Sequence, residues 1–172
     1  MTTLLTHQQL QLTIQRLAHQ LIENDSDYSN LAIIGLQPRG VAFSNAIVEV
    51  LKTILPITKI DYGVLDITFY RDDIRTELHQ PNKTEIPFSI EKKRVILIDD
   101  VLYTGRTIRA ALDALQDFGR PKCIELCVLI DRRYSRELPI QPTYAGKAID
   151  AFVTQKVKVN WAINANEVVL LN

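Results

Sequence analysis

A chain of 172 residues can form one domain with a substantial buried core, and 47% hydrophobic with 23% charged residues is a globular balance that excludes a disordered chain. Lys+Arg and Asp+Glu both number 20, so no global field draws the protein to nucleic acid or to a membrane, and any such surface must be a local patch. The start, MTTLLTHQQLQLTIQRLAHQL, lacks the charged beginning and continuous apolar run of a signal peptide, and no apolar run approaches the roughly 20 residues that span a bilayer. A cytoplasmic protein with no membrane partner is expected.

Thr6 is placed to cap a first helix whose Leu10, Ile14, Leu17 and Leu21 follow the helical period, with Arg16 and His19 off that stripe and facing outward. LAIIG (31–35) is a continuous apolar run bounded by turn residues, as in a strand covered on both faces. After the loop LQPRG comes a helix over about 41–55, with Val41, Ile47, Val48, Leu51 and Leu55 inward. KIDYGVLDITFYRDD alternates as one or two strands do, Leu65, Ile67 and Phe69 opposing Asp66, Thr68 and Tyr70. From 72 to 93 the pattern disappears: the stretch is polar and broken by Pro81 and Pro87, which reads as a functional lid. His7 and His79 read as solvated positions.

RVILI (94–98) is the next buried strand, and TIRAALDALQDFG the next helix, closed by Gly119-Arg120-Pro121. KCIELCVLI is a third strand. Extended, it sets Cys123 and Cys127 roughly 13 Å apart on one face, too far for a disulfide or a shared metal, so both are expected as reduced thiols. The loop DRRYSRELPIQPTYAGK and two short strand-like pieces, KVKVNW and EVVLL, complete the chain. With no repeat, low-complexity tract or linker, residues 1–172 form a single domain, and strands alternating with helices predict an α/β fold with a parallel sheet covered on both faces.

The chemistry concentrates in RVILIDDVLYTGRTIRAAL (94–112). The strand delivers Asp99 and Asp100 to the carboxyl edge of the sheet, where ligands bind in open α/β folds. Thr104-Gly105-Arg106-Thr107 then turns into a helix start, whose amides and dipole favour an anion. The spacing is not that of a Walker loop. Two acids beside an anion cup make sense when the ligand also carries hydroxyls, because an ionised Asp only accepts hydrogen bonds; a ribose phosphate fits, with Mg²⁺ relieving the remaining repulsion. GLQPRG after a buried strand is a second candidate anion loop through the planar fork of Arg39.

VILIDDVLYTGRT resembles the phosphoribosyl-pyrophosphate signature of the type I phosphoribosyltransferases. DITFYRDD, GRP, DRR, RELPI and YAGK, in order and over nearly the whole chain, narrow the resemblance to the bifunctional pyrimidine-operon attenuators with uracil phosphoribosyltransferase activity. The resemblance implies a type I phosphoribosyltransferase fold: a mostly parallel central sheet flanked by helices, with a small hood and a flexible lid loop. It assigns Asp99 and Asp100 to the ribose hydroxyls of phosphoribosyl pyrophosphate and to Mg²⁺. Val101, Leu102, Tyr103, Thr104, Gly105, Arg106 and Thr107 would line the 5′-phosphate site. Pro38, Arg39 and Gly40 would bind pyrophosphate, with Arg71 near it; Arg39, Asp99, Asp100 and Arg71 form the implied catalytic set. The reaction implied is attack of a uracil ring nitrogen on the anomeric carbon, giving uridine monophosphate and pyrophosphate. Purine-type relatives carry an acid just before the Thr-Gly; Tyr103 stands there, so no side-chain general base is assigned. The lid is shorter than its family counterpart.

The resemblance further implies a homodimer or higher homo-oligomer that, bound to a uridine nucleotide, binds leader mRNA and attenuates transcription of pyrimidine genes. The basic residues for it are Arg16, His19, Arg132, Arg133, Arg136 and Lys147; Asn24 replaces an expected basic residue, and DRRYSR is rearranged. The residues alone also allow a nucleotide-binding regulator without turnover, or a salvage enzyme without RNA binding. A phosphorylation-dependent receiver domain also ends an apolar strand in acids, but leaves YTGRT unexplained.

Overall fold

LAIIGL and RVILIDDVL form strands because every other residue has an apolar layer to enter on either side of the sheet. A computed structural model describes residues 1–23, 28–55, 59–70, 83–162 and 165–171. In chain order the elements are β1 (Thr2–Leu5), α1 (His7–Glu23), β2 (Leu31–Leu36), α2 (Gly40–Ile54), β3 (Asp61–Leu65), β4 (Arg94–Leu102), α3 (Arg106–Leu115), β5 (Cys123–Arg133), β6 (Tyr144–Asp150), β7 (Lys156–Asn160) and β8 (Glu167–Leu171).

The central sheet runs β3-β2-β4-β5-β6, all parallel. Leu31 and Ile33 of β2, with Ile96 and Ile98 of β4, pack with Leu10, Leu17 and Leu21 of α1 and with Phe43, Ile47 and Leu51 of α2. Ala32, Ile34 and Leu36, with Val95 and Leu97, pack on the other face with Ile108, Ala111 and Leu115 of α3. At the amino edge a buried Arg94 forks onto Glu125, Nε to Oε1 at 3.0 Å and Nη2 to Oε2 at 2.8 Å, and donates to the Leu21 carbonyl and the Tyr144 hydroxyl. A second sheet, β1-β8-β7, is antiparallel and forms the small hood.

The first helix starts as expected: the Gln9 amide donates to Thr6 Oγ1, and the Thr6 amide to Gln9 Oε1, a reciprocal cap. Both cysteines are free thiols, and burial pushes Cys127 up to about 12. Several expectations are corrected. Residues 2–5, assigned no element from the sequence, are a strand paired with β8. The alternation through Phe69 does not hold: Asp66 Oδ1 accepts from the Thr68 amide and hydroxyl, which turns the chain, and Phe69 is 82% exposed. In α2 the buried residues include Phe43 and Ser44, whereas Val41 and Leu55 are only half-buried. The segment after KCIELCVLI is not all loop, because β5 runs on to Arg133 and Tyr144–Asp150 is a further strand. Of the expected lid, 72–82 lies outside the described residues, and 83–93 is docked: Glu85 bridges Val64 through both backbone bonds at 2.9 Å, and Ile90 is fully buried.

Candidate active site

Three chain segments meet at the carboxyl edge of the sheet. β4 carries Asp99 and Asp100 there, each only 7% exposed. The loop after β2 brings Pro38 and Arg39, behind a cis Gln37–Pro38 bond, to the start of α2. Gly40, the first residue of α2, lies so close to β4 that a Cβ on it would sit 2.6 Å from the Ile98 carbonyl oxygen and 3.3 Å from Asp99 Oδ1. Only a glycine permits that approach, which is how the Pro-Arg-Gly loop reaches the acid pair.

The acids are electrostatically unsettled. Burial, and then the adjacent Asp100 charge, hold Asp99 well above the usual carboxylate range; burial also raises Asp100. The Arg39 charge pulls both back down, and the Asp100 amide donates to Asp99 Oδ1 at 2.9 Å. A buried, incompletely neutralised pair suits a cationic or hydroxyl-rich ligand.

Beyond β4 the chain folds around a cavity of about 340 Å³ lined by Asp99, by Val101 through Ile108, and by Glu137. Gly105 takes a left-handed φ of 93°, which turns the loop into α3. The Arg106 amide donates to Thr104 Oγ1 at 3.4 Å, and the dipole at the start of α3, with the Thr104 and Thr107 hydroxyls, lets this wall hold a phosphate. The expected residues Asp99, Val101, Leu102, Tyr103, Thr104, Gly105, Arg106 and Thr107 thus share one cavity, and the Asp99 contact of Gly40 sets Pro38–Arg39–Gly40 beside it. Arg71 lies outside the described residues.

The basic residues divide differently. Arg16 Nη2 donates to the Ala145 and Gly146 carbonyls at 3.2 and 2.6 Å, and Lys147 Nζ donates to the Leu4 carbonyl at 2.9 Å, so these two border the seam between α1, β1 and β6; His19 is an exposed residue of α1. Arg133 pairs with Asp150. Arg132, expected on an exposed face, is 5% exposed and stacks over the Tyr103 ring, 4.0 Å from its centroid. Arg136 donates to the Tyr103 carbonyl and the Asp131 carboxylate. Glu137, which the sequence reading missed, lines the cavity and pairs with Arg106. Its signal was RELPI, a motif of the family resemblance and the source of Arg136, with no role given to Glu137.

Residues 1–163 match the phosphoribosyl transferase domain family. The chain is 46% identical over 157 residues to the bifunctional protein PyrR of Picosynechococcus sp., covering 91% of this chain and 88% of that protein. It is 49% identical over 148 residues to the bifunctional protein PyrR of Acetivibrio thermocellus, covering 85% and 79%. Among solved structures, a hypoxanthine phosphoribosyltransferase from Trypanosoma cruzi aligns over 99% of this chain and 94% of its own with a TM-score of 0.75 at 16% identity, a likeness of fold alone. The acid pair, the phosphate-loop cavity and these relatives agree: the chain belongs to the phosphoribosyl transferase family, in the branch of the bifunctional PyrR proteins.

Proposed function

We propose that the protein is a uracil phosphoribosyltransferase that also binds leader RNA when it holds a uridine nucleotide. The observation that carries the enzymatic part is the buried Asp99–Asp100 pair at the end of β4, of which Asp99 lines the Tyr103–Thr107 cavity and Asp100 stands next to it in the chain outside the lining. The acids accept hydrogen bonds from the ribose hydroxyls of phosphoribosyl pyrophosphate, while the α3 amides and the Thr104 and Thr107 hydroxyls hold its 5′-phosphate. Uracil nitrogen bonds to the anomeric carbon as the bond to pyrophosphate oxygen breaks, and the uracil proton leaves to solvent. Arg39, at the loop before α2, stabilises the departing anion.

The donor set fits Mg²⁺ in one way. Among the described residues no three His, Cys, Asp or Glu side chains cluster, so a protein cage is absent. Asp99 and Asp100 are the residues that would hold the ion, as hard oxygen donors. When bound there it would supply positive charge against the departing pyrophosphate.

For RNA, the exposed Arg16 and Lys147 at the seam and the exposed His19 of α1 support the reading, because none of them lines the cavity, and Arg133, paired with Asp150, adds a further exposed guanidinium. A homodimer would double that face without raising the net charge. No described helix is long and apolar enough to cross a membrane, and the free thiols accord with the cytoplasm. Steady-state assay with uracil, phosphoribosyl pyrophosphate and Mg²⁺ should yield uridine monophosphate; donor binding without product would leave only a nucleotide-binding regulator. Uridine monophosphate should tighten binding to a pyrimidine-operon leader RNA, with affinity falling steeply as salt rises. Equal affinity for a scrambled hairpin would reduce the protein to its enzymatic role.

A further inference from the structure

The connection between β5 and β6 is strapped along the outside of the phosphate loop. The Glu137 and Leu138 amides donate to the Thr104 carbonyl at 3.0 and 3.3 Å. Arg136 holds the Tyr103 carbonyl and is itself held by Asp131. Arg106 Nε pairs with Glu137 at 2.6 Å, and the space beside Gly105 is closed by Leu138 and Ile140 at 3.3–3.5 Å from where a Cβ would be. A loop that must present hydroxyls and amides to a phosphate gains from having its own carbonyls taken up behind it, since they would otherwise compete for those donors.

Arg132 extends the strap. Its guanidinium lies on the Tyr103 ring, and its Nη2 donates at 3.1 Å to the carbonyl of Phe152. Phe152 begins a turn closed by Gln155, whose amide donates to the Phe152 carbonyl at 3.0 Å and which leads into the hood strand β7. Arg132 Nε is buried and has no hydrogen-bond partner among the described residues. A cation sealed there with one donor unused is costly, so stability alone does not account for it. Its gain is geometric: one rigid planar group spans the phosphate loop and the base of the hood.

We propose that Arg132 and Arg136 are positioning residues of the transferase site, bracing the phosphate loop in its anion-binding form and tying it to the turn beneath the hood. This rests on the phosphoribosyltransferase reading and deepens it. Neither residue touches the substrate; both act through the Tyr103 backbone and ring. Lysine at 132 would keep the charge but not the two-ended span, because an ammonium is a point donor rather than a fork.

The test is direct binding, by calorimetry, of ribose 5-phosphate, which needs the loop, and of pyrophosphate, which does not. Arg132→Met and Arg136→Gln should each weaken ribose 5-phosphate by about fivefold or more, the scale of a lost hydrogen bond to a charged group. Pyrophosphate affinity should stay within about twofold by the same scale. Arg132→Lys should lose as much as Arg132→Met, and in turnover the loss should fall on KM for phosphoribosyl pyrophosphate before kcat. Should Arg132→Met not fold, Tyr103→Leu removes the same contact and should give the same loss. Unchanged ribose 5-phosphate affinity, an equal loss for both ligands, or a wild-type-like Arg132→Lys would each overturn the brace. Wild-type protein that binds no ribose 5-phosphate would instead remove the phosphoribosyl reading itself, and the brace with it.

Discussion

Replacing Gly40 by alanine adds one methyl group at the contact between the pyrophosphate loop and the acid pair. The new Cβ would lie 2.6 Å from the Ile98 carbonyl oxygen and 3.0 Å from Asp99 Cα, both backbone atoms that cannot rotate aside. An ordinary contact needs a retreat of roughly 0.8 Å by the start of α2. Overpacking of this kind costs about 1–3 kcal/mol, and alanine returns up to about 1 kcal/mol through helix propensity. The net loss of stability is therefore small, a fall in Tm of at most several degrees for a domain of this size. Activity should suffer far more, because a displacement near 1 Å at a reacting centre can cost about a hundredfold. Initial-rate kinetics should show kcat/KM for phosphoribosyl pyrophosphate down by roughly ten- to a hundredfold, beside a cooperative thermal melt. Turnover above half of wild type, or a loss no larger than the unfolded fraction, would refute the role given to that contact.

The acid pair yields a pH prediction of unusual sign. Because burial raises both carboxyls in the folded state, the folded protein binds protons that the unfolded chain has released, so their contribution to stability is present at low pH and lost as pH rises through the raised values. Asp99→Asn should therefore raise Tm at pH 7 in the ligand-free protein and abolish turnover; the difference in Tm between variant and wild type should shrink toward pH 4. Arg39→Ala should weaken pyrophosphate and phosphoribosyl pyrophosphate binding by about tenfold while sparing uridine monophosphate, which titration calorimetry would resolve. Glu125→Ala should strand the buried Arg94 charge at the far edge of the sheet and cost about 3–5 kcal/mol in urea unfolding, with KM values unchanged.

The acid pair and the phosphate loop were legible in the sequence because their signal is local: an apolar strand, two acids and a Gly-containing turn, all within VILIDDVLYTGRT. The parallel sheet was legible because strands covered on both faces read as unbroken apolar runs. What stayed hidden depends on distant partners. Thr2–Leu5 and Tyr144–Asp150 carry weak periodicity and become strands only against β8 and β5. Phe69 was assigned inward by a period-two pattern that the Asp66 side chain ends through local hydrogen bonds. The same limit applies to Arg132: nothing in DRRYSR tells which arginine turns inward, because that is decided by Tyr103, far away in the chain.

The pairing of β1 with β8 joins Thr2 to Leu170. The hood therefore cannot assemble on a nascent chain until its final strand has been synthesised, so the first strand must wait through the making of everything between. The ladder of the central sheet is complete earlier, since its strands end at Asp150, although Val168 of β8 later joins the core on its α1 face. Folding should accordingly proceed in two stages, a sheet able to hold phosphate first and a closed hood afterwards, as expected where long-range pairings form last. A bulky fusion placed directly on the first residue would burden the hood rather than the loop that grips the donor.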